Sequence, residues 1–231
     1  PSAELHCYGK KYDQDGVWHI VANGLPTDFA CPDANESAAD LIARAQAGGA
    51  YVSLAHPGWY SMTTSEALLV SAADAVEIYN YSCVLSSARE SGIMIADFLL
   101  NEGHKISFTA TDDSHFHLPD FAGGWVMVAA PELSQGAIIA ALKAGHHYSS
   151  TGADFNDISI DKGILTVQTT PVQSIVLSGE GHLASTCHGN NITVARFDLS
   201  EFASQWFRIT ARGFSNQMAW SNPYFKNDLG L

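Results

Sequence analysis

The sequence predicts an α/β fold in which a barrel of strand and helix units is followed by a small antiparallel β module. Short apolar runs alternate with helical patterns up to about residue 152, and after that point β-type runs follow one another with no helix between them. The length of 231 residues corresponds to about one and a half average domains. We therefore expect an α/β barrel over residues 1–152 and a β-sandwich-like module over residues 153–231.

The first predicted helix shows how the elements are assigned. Over residues 33–49, Asp33 or Asn35 can cap the helix, and apolar residues recur at helical spacing. Gly48 and Gly49 then supply a stop signal. A strand is expected directly afterwards, because the next residues are apolar.

The same reasoning assigns the remaining elements in chain order. Each predicted helix ends near a glycine or a polar turn, and each predicted strand is a short apolar run. The predicted strands cover residues 50–55, 75–79, 106–111, 125–130 and 147–150, and the predicted helices cover residues 65–73, 86–102 and 134–144. The β-type runs of the module begin at Ile158, Leu165, Ser174, Ile192 and Trp206.

Composition excludes several classes of protein. A net charge of −13 and a pI near 5.0 oppose the attraction to phosphates on which nucleic-acid binding depends, so no nucleic-acid partner is expected. No apolar run approaches the roughly 18 to 20 residues of a membrane helix, so no membrane partner is expected either. The four cysteines are widely spaced and form no C-x-x-C pair, which disfavours a zinc ribbon and a disulfide scaffold. We expect a soluble protein, in the cytoplasm rather than secreted.

Five residues whose side chains can bind metals lie on predicted strands or at their ends. They are Glu4, His19, His56, Asp113 and His115. Strand ends of a parallel barrel converge on one mouth, so side chains distant in sequence can meet there. Imidazole nitrogens and carboxylate oxygens are ligands for Zn²⁺, Mn²⁺ and Fe²⁺, so we expect one to three divalent ions.

The alternative for each residue is a structural role. A single histidine after a strand is more often hydrogen-bonded within the fold than bound to a metal, but five such residues together favour a metal site. Asp112 can instead cap the following loop, and His6 competes with His19 for one ligand position. His117 is likewise a weaker candidate than the five. Structural or exposed positions are expected for four further histidines, His146, His147, His182 and His188.

Four strings together resemble a known family. They are Ser-Leu-Ala-His56-Pro, Ala-Val-Glu77-Ile-Tyr-Asn80, Ala-Thr-Asp112-Asp113-Ser-His115 and Tyr148-Ser-Ser-Thr-Gly152. In their order and spacing the chain resembles the PHP (polymerase and histidinol phosphatase) superfamily of metallohydrolases. Its closing segment is similar to the CehA/McbA-like branch, which includes carbaryl-hydrolase-type enzymes.

The resemblance implies a fold and a set of ligands. The fold would be a distorted (βα)7 barrel, TIM-like, with metals at its mouth. Glu4 would bridge metals, and Glu4, His19 and His56 would complete one metal site. Asp113 and His115 would serve neighbouring metals.

The chain departs from the family pattern at its beginning. The family opens with a His-x-His on its first strand, and nothing ahead of Glu4 supplies that motif. We therefore expect an N-terminally incomplete barrel, completed by a missing N-terminal fragment or by a second chain.

The resemblance and the candidate ligands predict a metal-dependent hydrolase of small phosphoesters that uses a metal-activated water. His115 or Asp112 would protonate the leaving group, and Glu77, Asn80 and Arg89 would contact the substrate. Two alternatives stay open. One is a carboxyl-ester or carbamate hydrolase with the same site, and the other is a non-catalytic protein that retains metal and serves as a binding module or scaffold.

Overall fold

Two β-sheets and six short helices form the described part of the chain. The computed structural model describes residues 1–8 and 17–231. The strands are β1 (Ser2–Tyr8), β2 (Val17–Asn23), β3 (Tyr51–Leu54), β4 (Ala75–Asn80), β5 (Ser107–Thr111), β6 (Trp125–Val128), β7 (His147–Ser150), β8 (Phe155–Asp161), β9 (Ile164–Gly179), β10 (Ala184–Asp198), β11 (Trp206–Arg212), β12 (Met218–Ser221) and β13 (Tyr224–Phe225). The helices are α1 (Ala38–Ala47), α2 (Thr64–Leu69), α3 (Tyr81–Ser86), α4 (Ile93–Asn101), α5 (Gln135–Lys143) and α6 (Lys226–Leu229).

The first sheet is mixed and has five strands in the order β1-β2-β3-β4-β5. β1, β2 and β3 pair antiparallel, whereas β3, β4 and β5 pair parallel. The parallel strands are buried on both faces, as expected where helices cover a sheet. This sheet carries every residue of the predicted metal site on its strands or directly after them.

The second sheet is antiparallel and has eight strands. Its main path is β10-β9-β11-β12-β7-β6, with β13 paired to β11 and β8 paired to β9. β6 and β7 precede residue 152, yet they belong to this sheet. The C-terminal strands therefore share one curled sheet with β6 and β7 and do not form a separate sandwich.

The predicted (βα)7, TIM-like barrel is wrong. Strands hold 39% of the residues and helices 20%, and parallel pairing in the described chain is confined to β3, β4 and β5. The prediction treated α5 as a crossover between parallel strands, but β6 and β7 on either side of it pair antiparallel. Apolar periodicity shows that a strand is buried and does not show its partner or its direction.

Side-chain caps set the helix starts. α1 begins after Ser37, whose hydroxyl accepts a hydrogen bond from the Asp40 amide at 3.1 Å, and neither Asp33 nor Asn35 caps it. A capping box between Thr63 and Glu66 starts α2. The helix predicted over residues 86–102 begins later than expected, as α4 at Ile93, and the short helix α3 ends at Ser86, where the predicted helix was to start.

The two sheets share a packed boundary. Trp206 and Trp220 belong to the second sheet but are buried in the core of the first sheet. Nearby, the Arg208 guanidinium donates two hydrogen bonds of 2.8 Å to the Asp97 carboxylate on α4. Such a bidentate pair fixes orientation as well as adding energy. The boundary therefore holds the first sheet and its strand ends in one place relative to the second sheet.

His147 makes stability depend on pH. Burial lowers the pKa of His147 from 6.5 to about 4, and its Nε2 lies 3.2 Å from the Phe108 carbonyl oxygen. The native state therefore holds a neutral His147, while the unfolded chain takes up a proton below pH 6.5. We expect the free energy of unfolding to fall by roughly 3 kcal/mol as the pH drops from 6.5 to 4.

Urea unfolding at several pH values checks this expectation. The His147→Gln variant keeps a donor for the Phe108 carbonyl group but does not titrate, so its pH dependence should be shallower than that of the wild type. Equal pH dependence of the two proteins would contradict a buried neutral His147.

None of the helices in residues 1–8 and 17–231 combines the length and the apolar character required to cross a bilayer.

Candidate metal centre

Three side chains from different parts of the chain meet above the first sheet. Glu4 lies on β1, His19 lies on the neighbouring strand β2, and His56 comes two residues after β3 ends. The sheet order β1-β2-β3 makes them neighbours although 52 positions separate Glu4 from His56. Their convergence is a product of strand pairing.

The ligand atoms of the three residues form a small triangle. Glu4 Oε1 lies 2.8 Å from His19 Nδ1 and 3.3 Å from His56 Nε2, and the two nitrogens are 3.2 Å apart. Ligands about 2.0–2.1 Å from a tetrahedral ion lie about 3.4 Å from one another. The triangle thus has nearly the size of one face of a tetrahedral site, and its donor set suits Zn²⁺, Mn²⁺ or Fe²⁺.

The charge of the triangle suits a bound cation. The hydrogen bond with His19, and to a smaller extent the one with His56, hold the pKa of Glu4 far below its ordinary value, although burial acts to raise it. Burial works to lower the pKa of His56, but the hydrogen bond with Glu4 and the charges of Glu77 and Asp113 raise it. Glu4 is therefore an anion that attracts positive charge, whether from protons on the histidines or from a cation.

Asp113 and His115 lie beside the triangle. Asp113 Oδ2 is 4.0 Å from His56 Nε2, and possible ligand atoms of Glu4, Asp113 and His115 lie within 4.8 Å of one another. His115 is more than half exposed, and its Nδ1 lies 2.7 Å from the Asp113 carbonyl oxygen. Asp113 thus faces the triangle, while His115 lies at its solvent edge.

Two of these candidate ligands, His56 and Asp113, have a strained backbone. His56 has φ of 25° and Asp113 has φ of 49°, values in the left-handed region that side chains other than glycine rarely adopt. Such strain concentrates at sites where the surrounding structure fixes a side chain for a function. Here it sets the directions in which both side chains leave the ends of β3 and β5.

Glu77 and Asn80 lie buried beneath the cluster. The Glu77 carboxylate accepts a 2.6 Å hydrogen bond from the His56 amide and further bonds from Asn80 and Thr111. Burial raises the pKa of Glu77. The Asn80 amide also donates to Asp113 Oδ2 at 3.1 Å, so the two residues position His56 and Asp113 from below.

Asp112 holds a loop. Its carboxylate accepts hydrogen bonds from three consecutive amides, those of Ala122, Gly123 and Gly124, at 2.6, 2.8 and 2.9 Å. Gly123 is required there because a Cβ would lie 2.1 Å from the Tyr81 ring. The structure thus shows the loop-capping role that the sequence left open for Asp112.

Replacing Asp112 should therefore affect the loop. We expect Asp112→Ala to lower the free energy of unfolding by about 2 kcal/mol, because three amides lose a charged acceptor. Asp112→Asn should cost less, since its amide oxygen still accepts. Chemical denaturation measures both, and equal stability of the alanine variant and the wild type would contradict the capping role.

The structure adds residues that sequence reasoning ranked low or missed. The His6 ring stacks on the His19 ring at 4.2 Å, and possible ligand atoms of Glu4, His6 and His19 lie within 4.8 Å of one another. The Trp59 ring packs against both His19 and His56. The backbone carbonyl oxygen of Trp59 accepts a 3.2 Å hydrogen bond from the Arg89 guanidinium. Asp120 is buried and fixes the loop after Asp113 by accepting from the His115 and Phe116 amides.

Signals for these residues were present but weak. Trp59 stands three positions after His56, and an aromatic residue at that distance is more often part of a core. Asp120 follows His115 by five positions in a segment with no periodicity. His117 lies exposed on the same loop and is absent from both groups of possible ligands among the described residues.

The remaining histidines are not part of either group of possible ligands in the described chain. His147 is buried, and His146, His182 and His188 are exposed.

Comparisons of the chain with protein-family models, with curated proteins and with solved structures found no match.

Proposed function

We propose that this protein is a metal-dependent hydrolase of small phosphoesters whose cation is held by Glu4, His19 and His56. The observation that carries the proposal is the triangle of three ligand atoms with sides of 2.8, 3.2 and 3.3 Å. Asp113 and His115 extend the ligand set on one side. A divalent cation bound there supplies Lewis-acid activation of water and neutralises negative charge on the substrate.

The protein's own residues support the roles around that cation. Glu77 and Asn80 hold His56 and Asp113 in place through buried hydrogen bonds. His115 is exposed at the rim and carries an imidazole that can give a proton to a leaving group. Asp112 is unsuited to that step, because its carboxylate is committed to three backbone amides.

The preference for a phosphoester rests on Arg89. Its guanidinium lies at the rim of the site, bonded to the carbonyl group of Trp59, whose ring packs against two of the ligands. The pair leaves other guanidinium N–H groups for an anionic oxygen. Membership of the PHP superfamily is part of this proposal, and its support is the meeting of Glu4, His19, His56 and Asp113 in one cluster.

Cysteine use supports a cytoplasmic location within the same proposal. All four cysteines lie in the described residues, two of them are buried, and no disulfide connects them. Such cysteine use is typical of a reducing compartment.

Metal content tests the proposal first. Elemental mass spectrometry of the purified chain should find at least one equivalent of Zn, Mn or Fe. His56→Ala and His19→Gln should both lose it, and the exposed His182→Ala should retain it. Metal bound equally well by all four proteins would contradict the assigned ligands.

Hydrolysis separates the proposed function from its alternatives. Aryl phosphate monoesters and diesters should be cleaved faster than a carboxylic ester or a carbamate with the same aryl group, and Arg89→Gln should selectively slow the phosphate substrates. Faster cleavage of the carboxylic ester or the carbamate would favour the second class of hydrolase. Stoichiometric metal without any hydrolysis would favour a binding or scaffold protein.

A further inference from the structure

A polar pocket on the second sheet lies apart from the candidate metal centre. It has a volume of about 600 Å³, within the usual range for small-molecule sites. β9, β10, β11 and the segment connecting β11 to β12 line it. None of the candidate metal ligands belongs to its lining, so it is a separate feature of the molecule.

Strand register builds the floor of the pocket. Ser174 on β9 pairs with His188 on β10 and with Arg212 on β11, and Arg212 pairs in turn with Met218 on β12. Residues that face each other in antiparallel strands project from the same side of a sheet. The four side chains therefore form one row across four strands.

A short turn builds one wall. The Gly213 amide donates to the Gln217 carbonyl oxygen at 2.7 Å, which closes the connection between β11 and β12. Within it Ser215 and Asn216 have φ of 55° and 67°. Non-glycine residues in this conformation are kept where the structure requires a particular shape. Side chains of Asn216 and Gln217 thus border the pocket on a turn of defined geometry.

The charge of the pocket is opposite to that of the chain. The protein has 24 acidic residues against 11 lysines and arginines, yet no carboxylate lines this pocket among the described residues. Arg212 is exposed, and its guanidinium makes no hydrogen bond or ion pair with the described part of the chain. An unpaired guanidinium that shares a pocket lining with an imidazole, and with no carboxylate in that lining, is suited to bind an anion.

The other residues that line the pocket indicate which chemical groups the ligand has besides its anionic group. Gln173, Gln217 and Asn216 supply amide groups, and Ser174 and Thr186 supply hydroxyl groups. These groups donate and accept hydrogen bonds, as the hydroxyl groups of a ligand require. We propose that this pocket binds a small polyol that bears one phosphate or carboxylate group, with Arg212 and His188 holding the anionic group.

Direct binding to the 231-residue chain tests the proposal. The probes are glucose 6-phosphate, gluconate, glucose and inorganic phosphate, measured by calorimetry and by ligand-observed NMR. At least one of the two acids should bind saturably and more tightly than glucose or inorganic phosphate. The better of the two identifies the anionic group. No saturable binding of either acid would overturn the proposal, and equal affinity for inorganic phosphate would overturn its polyol component.

Variants locate the binding. Arg212→Gln should weaken the affinity by about tenfold or more, as expected for loss of a hydrogen bond to a charged group. Arg196→Gln is the matched control, because Arg196 is an exposed arginine on β10 outside the pocket. Both variants should keep the wild-type unfolding midpoint. Equal loss in the two variants, or unchanged affinity in Arg212→Gln, would contradict this location.

Binding of the anionic polyol to this pocket is independent of the proposed hydrolase function. The metal-ligand variant His19→Gln should bind the anionic polyol as the wild type does, whether or not the wild type holds a metal. Loss of that binding in a folded His19→Gln protein would place the ligand at the metal centre and overturn the separate site.

Discussion

Replacing Glu4 by glutamine should lower metal affinity and phosphoester hydrolysis by at least about 100-fold each. Glu4 Oε1 is the atom shared by the contacts to His19 and His56, and it supplies the negative charge of the triangle. A glutamine side chain has nearly the same shape but is neutral, so the histidines stay in place while the cation loses its anionic ligand. Metal titration and steady-state hydrolysis measure the two effects.

Glu201, in a connection between two strands of the second sheet, provides a charge-matched control. Glu201 is exposed and lies in the segment between β10 and β11, so Glu201→Gln makes the same chemical change away from the site. The control should bind metal and hydrolyse substrate as the wild type does. Wild-type metal binding by Glu4→Gln would rule out Glu4 as a ligand.

Replacing Gly92 by alanine should lower the free energy of unfolding by about 4 kcal/mol. A Cβ at Gly92 would lie 2.1 Å from the Glu77 carbonyl oxygen and 2.8 Å from Pro57 Cγ. The backbone conformation of Gly92 is open to alanine, with φ of −101° and ψ of 3°, so the cost comes from the clash. One of the two groups must move, and both adjoin His56.

Gly136→Ala provides the comparison. Gly136 lies in the first turn of α5, and a Cβ there would meet nothing within 4 Å. This variant should be more stable than the wild type by a few tenths of a kcal/mol up to about 1 kcal/mol, because alanine favours the helix. Chemical denaturation compares the three proteins. Near-equal stability of Gly92→Ala and the wild type would contradict the close packing of Gly92 on β4.

Gly92→Ala also connects stability to the site. Glu77 holds the His56 amide through a 2.6 Å hydrogen bond, so displacement of the Glu77 backbone moves a ligand. We expect the variant to bind metal more weakly even at temperatures where it remains folded. Metal titration at low temperature distinguishes this effect from unfolding.

The sequence pointed to the residues of the site by their chemistry and their places beside strands. Glu4, His19, His56 and Asp113 were named because histidines and carboxylates are unusual at the ends of buried strands. The structure brings the first three within 3.3 Å and Asp113 within 4.0 Å of His56. Their use as metal ligands stays a prediction.

Roles within the site depended on contacts that sequence does not encode locally. Asp112 and Asp113 are adjacent and chemically identical, yet Asp112 binds the amides of residues 122–124 and Asp113 faces His56. Adjacent side chains of an extended segment point to opposite sides, so the surrounding loops decide which carboxylate meets the amides and which meets His56. Trp59 and Asp120 likewise acquired their roles only through the packing of loops.

The sequence by itself determined which segments are buried strands and helices, because apolar periodicity and capping residues are local properties. The tertiary structure alone decided how the strands pair. The segments around α5 have the pattern of a parallel unit, but β6 and β7 pair antiparallel and join the second sheet. A short apolar strand has the same residue pattern in either direction, so its partners are decided by which surfaces the whole chain can cover.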